Sequence, residues 1–413
     1  MALAQSRKFS TGWQRPPDEV RLKLNFLQSS YLTRLITCLV PKSMYDANES
    51  RDLYTEMLEV MAQSLDELLM SGMCDKHGVR HRICVIGVKG DWPYLARVGA
   101  FQRAYNRAAN GGASGICHRC LAGRPGVDAE EVGSRRPAWL STLGVEDPWR
   151  EEPVLTRYLP HIPEDAGSFY HMDVWHTYHL GIGRSFASSV IVLMIWEELF
   201  PAANIDQKFK LVTESYLSFC KMSKQQPHVT KITPSFVGYR DKAGINGTWN
   251  KGALTTVLML WLENCLSSAE LGESSVLHKA LLATRHINSF FRCLYNADAF
   301  LDGPQCAYVS CAGRAFLRLC LQLAETSYVA GRPLFPLLPK LHSLDHFVVK
   351  LHWDGVNHAL SENPLQTACQ LDEDAIGHLS RLSRRVSVRL VVRRTFERYL
   401  AAAHDAWSRA KWI

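Results

Sequence analysis

Residues 82–93 read RICVIGVKGDWP, and this stretch decides the predicted fold. Its apolar part does not alternate with polar residues, which is typical of a strand buried on both faces of a sheet. Residues 32–40 are rich in β-branched side chains and predict a second strand. Residues 52–70, between the two strands, carry apolar side chains at helical spacing. Strand, helix and strand predict the first part of an α/β core with a mixed sheet, over residues 1–120.

The rest of the chain changes character twice. Residues 121–179 contain six prolines and predict an irregular connection. Residues 180–335 show helical periodicity without strand alternation, and residues 336–413 are expected to complete the core with a basic helix. The predicted helices of the middle block are 182–200, 205–222, 251–267, 276–294 and 306–329. The predicted fold class is therefore α/β plus α, a mixed-sheet core interrupted by a large all-helical insertion.

The composition excludes several classes of protein. The chain has 413 residues, of which 47% are hydrophobic and 21% are charged, so we exclude a disordered or collagen-like chain. The uncharged run of residues 185–196 is shorter than the roughly 20 residues of a membrane-spanning helix. The N-terminus lacks an apolar segment followed by a cleavage site. We therefore expect a soluble intracellular protein without a membrane partner.

The positive charge is concentrated near one end of the chain. Residues 376–413 contain nine Lys or Arg against two Asp or Glu, a difference that equals the net charge of +7 of the whole chain. A solvated helix face is the ordinary explanation, but clustered arginine is also what binding to a polyanion requires. The arginines predicted to contact the polyanion are Arg381, Arg384, Arg385, Arg389, Arg393 and Arg394.

Cys117 and Cys120, in the segment GICHRC, have the spacing of metal ligands. Most of the other cysteines are isolated among apolar neighbours and are expected to be buried as small hydrophobic residues. A CxxC pair lets two thiolates bind one Zn²⁺, but it supplies only half of a tetrahedral site. A redox pair and a simply buried pair are the competing interpretations.

Two pairs of histidines could complete such a zinc site. His176 and His179 lie three residues apart, and His342 and His346 lie four apart, so one helical turn places both rings of the second pair on one face. The sequence favours the second pair and leaves the first as the alternative.

Two carboxylates could bind a second metal. Asp91 ends the predicted strand of residues 82–88, the position where α/β sheets place functional groups. Glu373 begins the Arg-rich helical region, where an acidic residue also complements the helix dipole. Each has an ordinary structural explanation, but two carboxylates from distant parts of a chain can converge on Mg²⁺.

The order of these motifs resembles a known family. The segments VIGVKGDWP, GICHRC and DVWH precede the helical block, and PKLHSLDH and DEDAIGHLSRLSRR follow it. This succession, over residues 30–400, resembles the later part of the catalytic domain of CACTA-type cut-and-paste transposases, relatives of the Transib and V(D)J recombinase group. The resemblance implies an RNase-H-like core, DNA as a partner and a nuclear location; a homo-oligomer is a further expectation.

The resemblance also implies roles for individual residues. Asp91 and Glu373 match catalytic acidic residues that hold Mg²⁺. The segment from Asp173 to His176 matches a motif beside the active site, and His176 is the third predicted catalytic residue, with the role of shaping the site. Water and then a freed DNA 3′-hydroxyl would attack phosphodiesters in line. The residues that match a structural zinc site are Cys117, Cys120, His342 and His346.

One departure from the family pattern changes the expected activity. The family's first catalytic Asp lies on a strand upstream of the segment that matches residues 32–40, and the candidate here, Asp18, does not end an apolar strand. Because two-metal chemistry needs carboxylates for both ions, we expect a truncated or inactive transposase-like protein. The alternatives are a domesticated non-catalytic DNA-binding or assembly module and an unrelated zinc-stabilised helical interaction protein.

Overall fold

The protein is largely helical. The computed structural model describes residues 29–40, 53–105, 115–239 and 244–411, and the candidate Asp18 lies outside these residues. Of the described residues, 58% are helical and 3% are in strands. The predicted RNase-H-like mixed-sheet core is therefore wrong.

The first part of the chain combines short elements with one longer helix of 18 residues. Its 3₁₀-helices cover Ala138–Thr142 and Pro163–Phe169. The other elements are α1 (Ser30–Thr33), α2 (Leu53–Met70), β1 (Met73–Cys74), β2 (Arg80–His81), β3 (Val88–Lys89), α3 (Trp92–Val98), α4 (Val154–Tyr158) and β4 (Tyr170–His171).

A π-helix, Trp175–Ile182, leads directly into the long helices of the second part. Further 3₁₀-helices cover Pro364–Thr367 and Val388–Leu390. The remaining elements are α5 (Gly183–Trp196), α6 (Ile205–Met222), α7 (Gly252–Ser267), α8 (Val276–Asn296), β5 (Phe300–Leu301), α9 (Gly303–Val329), α10 (Lys340–Val356), β6 (Ser361–Glu362), α11 (Gln370–Ser383) and α12 (Val391–Arg409).

The strands of the described residues form three separate pairs. β1 pairs with β2 and β5 with β6, both antiparallel, and β3 pairs with β4 in parallel. Each pair is two residues long, so these strands do not build a sheet that could act as a core. The first pair is a local hairpin, and the other two join segments that are distant in the chain.

The apolar run of residues 82–88 is not the buried strand that its composition predicts. Ile83 and Val85 are half-buried, whereas Cys84 and Ile86 are exposed, Ile86 to 78%. One face of the segment therefore packs against the protein and the other faces solvent. An apolar run cannot by itself distinguish one covered face from two, and here the exposed positions also carry apolar side chains.

Residues 32–40 also do not form a strand. Their first residues belong to α1, and the carbonyl groups in this region accept hydrogen bonds from side chains of α12. The hydroxyl of Tyr399 donates to the Arg34 carbonyl at 2.8 Å, and Nε1 of Trp407 donates to the Tyr31 carbonyl at 3.1 Å. These two hydrogen bonds join the segment to α12, and its described residues form no strand.

The helices predicted between residues 180 and 335 are confirmed. α6 has the predicted bounds, and α5, α7, α8 and α9 differ from prediction by a few residues at one or both ends. Side chains of Asn204, Ser275 and Asp302 cap α6, α8 and α9 by accepting hydrogen bonds from backbone N–H groups. The division of the chain into four domains stays a prediction.

Most of the buried apolar side chains form one core between these helices and α10. A smaller core lies among α2, α3 and α4, and a third surrounds Cys117 and Cys120. The segment Trp175–Trp196 is long and apolar enough to cross a membrane, but 83% of its most apolar window is buried inside the protein. One such helix is weak evidence for a membrane span, because a core helix has the same composition.

Candidate metal centre

Two cysteines and two histidines from distant parts of the chain meet at one point. Nε2 of His342 lies 3.2 Å from Sγ of Cys120, and Nε2 of His346 lies 3.4 Å from Sγ of Cys117. The two Nε2 atoms are 3.0 Å apart, and all four ligand atoms lie within 4.8 Å of one another. Ligand atoms around a tetrahedral zinc with ordinary bond lengths are roughly 3.3–3.8 Å apart. The four side chains, which we call the quartet, therefore have nearly the spacing of a zinc site.

The cysteines lie on a tight loop that glycine makes possible. The N–H of Ile116 donates to the carbonyl of Ala122 at 2.8 Å and closes the loop, and Gly115 has a positive φ of 83°. The N–H of Arg119 points at Sγ of Cys117 from 3.4 Å. Backbone hydrogen bonds thus close the loop and fix the sulfur of Cys117 without any contribution from a metal.

Buried residues around the quartet fix its orientation. Arg103, only 3% exposed, donates from Nε to the Cys117 carbonyl at 2.7 Å. The hydroxyl of Tyr105 donates to Sγ of Cys117 at 3.4 Å. The ring of Trp139 lies 4.2 Å from that of His346 and 4.9 Å from that of His342. Such surrounding contacts are characteristic of metal sites, where they orient the ligands.

The protonation states suit a divalent cation. Burial alone would raise the pKa of the Cys117 thiol, but hydrogen bonding with Cys120 and the nearby His346 hold this pKa well below its ordinary value. Burial and the neighbouring Cys117 raise the pKa of Cys120. Burial lowers the pKa of His346 to about 4, so its imidazole is neutral at pH 7. A metal ion would complete the deprotonation of the pair.

The alternative histidine pair does not reach the cysteines. His179 is buried with its ring stacked on Trp175 at 4.4 Å, and burial lowers its pKa to about 3. His176 belongs to a different cluster. Of the two pairs that the sequence left open, the structure brings His342 and His346 to the cysteines.

The second cluster is organised by a buried aspartate. Asp173 is fully buried, and its Oδ1 accepts from the N–H groups of Trp175 at 2.8 Å and Cys369 at 3.0 Å. Its Oδ2 accepts from the backbone N–H of His176 and contacts Nδ1 of the same residue. Nε2 of His176 then lies 3.4 Å from Oε1 of Glu373. Although burial opposes it, the contact with Asp173 raises the pKa of His176.

Asp91 lies close enough to this cluster to act on it electrostatically. Burial lowers the pKa of Lys340 to about 8, an effect that the charge of Asp91 partly offsets, and the same charge contributes to the raised pKa of His176. Asp91 also has a structural role, because its Oδ1 accepts from the N–H of Tyr94 at 2.9 Å and caps α3. The three predicted catalytic residues therefore share one region, and their catalytic role stays a prediction.

The basic C-terminal helices expose their arginines. Arg393 and Arg394 pair with Glu397 at 2.8 and 2.9 Å, and Arg381 contacts Nδ1 of His378 at 2.9 Å. The positive charge on this surface is thus partly neutralised within α12. The exposed residues predicted to bind DNA are Arg381, Arg384, Arg385, Arg389, Arg393 and Arg394.

Comparisons with protein-family models, curated proteins and solved structures find no match. Sequence reasoning missed the residues that support the two clusters, chiefly Arg103, Tyr105, Trp139 and Lys340. No motif spacing links these residues to the ligands, and their roles depend on three-dimensional contacts. The one signal in the sequence is that Lys340 precedes His342 by two positions.

Proposed function

We propose that the quartet of Cys117, Cys120, His342 and His346 binds one structural Zn²⁺. The observation that supports this proposal is the convergence of these four ligand atoms within 4.8 Å from two distant segments. Two sulfur and two imidazole nitrogen donors fit zinc better than a hard cation. Four protein ligands leave no open position for substrate, which favours a structural ion over a catalytic one.

The proposed ion joins two parts of the protein that the chain keeps far apart. The cysteine loop follows α3, and the histidines lie on α10 after the whole helical block. A metal that links such segments stabilises the folded state, because the unfolded chain has no formed site. The function supported best is therefore that of a zinc-stabilised helical protein.

Metal content in two histidine variants tests this proposal. His342→Ala should lose the zinc, since it removes one of four ligands, whereas His179→Ala should retain one zinc per chain. The measurement is the zinc-to-protein ratio of purified protein by elemental analysis. Zinc retained in His342→Ala and lost in His179→Ala would contradict the proposed ligands.

A second candidate function is divalent-cation-dependent chemistry on DNA, as in transposases. It is supported by the contact between His176 and Glu373, together with the nearby charge of Asp91, because these residues come from three distant parts of the chain. Carboxylates are the ligands that Mg²⁺ prefers, and Mg²⁺ held there would polarise a phosphodiester. The exposed arginines would bind the DNA backbone, and the implied location is the nucleus.

The chain's own residues would have distinct roles in that reaction. Asp91 and Glu373 would bind the cation through their carboxylates, and Asp173 would hold the imidazole of His176 toward Glu373. Attack of water on phosphorus would form a new P–O bond and break the bond to the 3′ oxygen, which leaves a 5′-phosphate and a 3′-hydroxyl. That hydroxyl could then attack a second phosphodiester and release the 3′-hydroxyl of the strand it cuts.

Binding of Mn²⁺ and nicking of plasmid DNA test the second candidate. Glu373→Gln should weaken Mn²⁺ binding and abolish metal-dependent nicking, while Asp374→Asn on the same helix should retain both. DNA binding without nicking by the unaltered protein would instead favour a non-catalytic DNA-binding or assembly module. Loss of neither activity in Glu373→Gln would contradict the role of this carboxylate.

A further inference from the structure

The backbone of the π-helix Trp175–Ile182 leaves space for the side chain of Lys340. Its backbone leaves helical geometry at Gly181, with φ of −128° and ψ of −106°. A Cβ at this position would lie 2.4 Å from Cδ of Lys340 and 2.8 Å from the carbonyl oxygen of His176. Glycine at 181 therefore allows the lysine to reach this turn, which a larger residue would block. Interruptions of this kind are frequent at functional sites.

The ammonium group of Lys340 binds the backbone of the second cluster, formed by Asp173, His176 and Glu373, which we call the acidic cluster. Its Nζ donates to the carbonyl of His176 at 2.7 Å. The ring of that histidine is held by Asp173 and points at Glu373, as described above. Lys340 thus fixes the backbone of the residue whose ring lies between the two carboxylates.

The same ammonium group also lies over an aromatic stack that leads to the quartet. Nζ of Lys340 is 5.2 Å from the ring centroid of Trp92, within the range of a cation–π contact. Trp92 stacks on Tyr105 at 4.0 Å, and the Tyr105 hydroxyl donates to Sγ of Cys117 at 3.4 Å. Trp92 directly follows Asp91 in the chain. The stack therefore connects a zinc ligand to the residue next to a predicted catalytic carboxylate.

Lys340 is connected to the quartet by its helix as well. It is the first residue of α10, two positions before His342. Movement of the start of α10 would shift the ammonium group relative to both the His176 carbonyl and the Trp92 ring. Lys340 thus contacts the acidic cluster directly and is connected to the quartet in two ways, through the backbone of α10 and through the aromatic stack.

We propose that Lys340 is a positioning residue that couples the zinc quartet to the backbone and ring of His176. The proposal rests on the structural zinc of the proposed function. It also means that the second candidate function, cation-dependent chemistry at His176 and Glu373, would depend on that zinc through Lys340. A long basic side chain suits this position because its charge can contact a carbonyl oxygen and an aromatic face together.

Hydrogen exchange of the π-helix tests this coupling without any assay of activity. Lys340→Met keeps an apolar side chain of similar length and removes the charge. It should speed amide exchange in residues 175–182 by at least about tenfold, because a charged hydrogen bond that opposes local opening is lost. Lys350→Met, on the same helix but on the exposed side, is the matched control and should leave that exchange unchanged. Lys340→Arg, which retains the charge and donors, should restore most of the protection.

The link to zinc is tested by combining perturbations. Cys117→Ser should also speed exchange in residues 175–182, and the double variant with Lys340→Met should exchange little faster than either single variant. Lys340→Met itself should retain one zinc per chain. Exchange unchanged in Lys340→Met, or purely additive effects in the double variant, would overturn the coupling.

The outcomes separate this proposal from the functions on which it builds. Absence of zinc from the unaltered protein would contradict the metal centre and the coupling together. If amide exchange in the single and double variants shows the coupling but the unaltered protein does not bind Mn²⁺, only the second candidate function is contradicted. If both hold, Lys340→Met should also weaken Mn²⁺ binding, and Lys350→Met should not.

Discussion

Cys117→Ser should make the stability of the protein independent of zinc. The substitution replaces a sulfur ligand by a hydroxyl, which is a poor ligand for Zn²⁺ at neutral pH. The loop itself should persist, because the hydrogen bond from Ile116 to Ala122 and the donors of Arg103 do not depend on the sulfur. The main consequence is therefore the loss of metal binding energy and not the loss of local structure.

The magnitude follows from binding linkage. A ligand present at about 1,000 times its dissociation constant stabilises the folded state by about 4 kcal/mol. Unfolding entropies near 2.1 cal/mol/K per residue give roughly 0.8 kcal/mol/K for a body of this size, if it unfolds as one unit. The expected loss of melting temperature is then about 5 °C. A larger loss is expected if the region around the quartet unfolds separately, since its entropy of unfolding is smaller.

Thermal unfolding with and without a chelator measures this effect. The chelator should lower the melting temperature of the unaltered protein by about 5 °C and should not change that of Cys117→Ser. Cys320→Ser is the matched control, because Cys320 is a buried cysteine of the main core outside the quartet. It should be destabilised but remain sensitive to the chelator. An unaltered protein that is insensitive to a chelator that removes its metal would refute the stabilising role of zinc.

Three further predictions concern DNA, acid stability and the buried His179. Binding to duplex DNA should weaken as the salt concentration rises. Removal of four arginines should reduce the slope of the logarithm of the binding constant against the logarithm of the salt concentration by up to about 3.6. An unchanged slope would contradict the proposed DNA surface. The arginines to replace by Ala are Arg384, Arg385, Arg393 and Arg394. Although burial opposes it, Lys89 and Arg34 hold the pKa of Asp372 in the folded protein below its ordinary value of 3.8. The ionised carboxylate therefore stabilises the folded state at a pH above 3.8. This stabilisation is lost as the pH falls through the lower pKa of the folded protein. Asp372→Asn should therefore lower the free energy of unfolding by roughly 1–3 kcal/mol at pH 7, and acid-unfolding curves that stay parallel to those of the unaltered protein would contradict the ion pair. His179→Ala should cost about 2–4 kcal/mol through lost packing in denaturant unfolding, and a cost near zero would contradict the burial of this ring.

The helices of the middle block could be predicted because local sequence determines them. α6 and α8 combine an apolar stripe with a capping Asn204 or Ser275, so both the periodicity and the start signal are in the sequence. The predicted strand at residues 82–88 failed because its exposed positions, such as Ile86, are as apolar as its covered ones. Periodicity gives no information when both faces have the same composition.

The candidate site was partly predictable for a related reason. The spacing of Cys117 with Cys120, and of His342 with His346, follows from the geometry of a loop and of a helical turn, so the sequence contains it. The contacts of Lys340 and Arg103 depend on how distant segments pack, and no local pattern encodes them. The sequence indicates Asp173 only as part of a motif, whereas the structure shows that it orients His176.

X-ray absorption at the zinc edge of the purified protein tests the central claim most directly. The quartet predicts one zinc per chain with two sulfur neighbours at about 2.3 Å and two nitrogen neighbours at about 2.0–2.1 Å. Cys120→Ser should lose this spectrum together with the metal. A protein without zinc, or a zinc ion surrounded only by nitrogen and oxygen, would contradict the binding of one ion by the cysteine loop and α10.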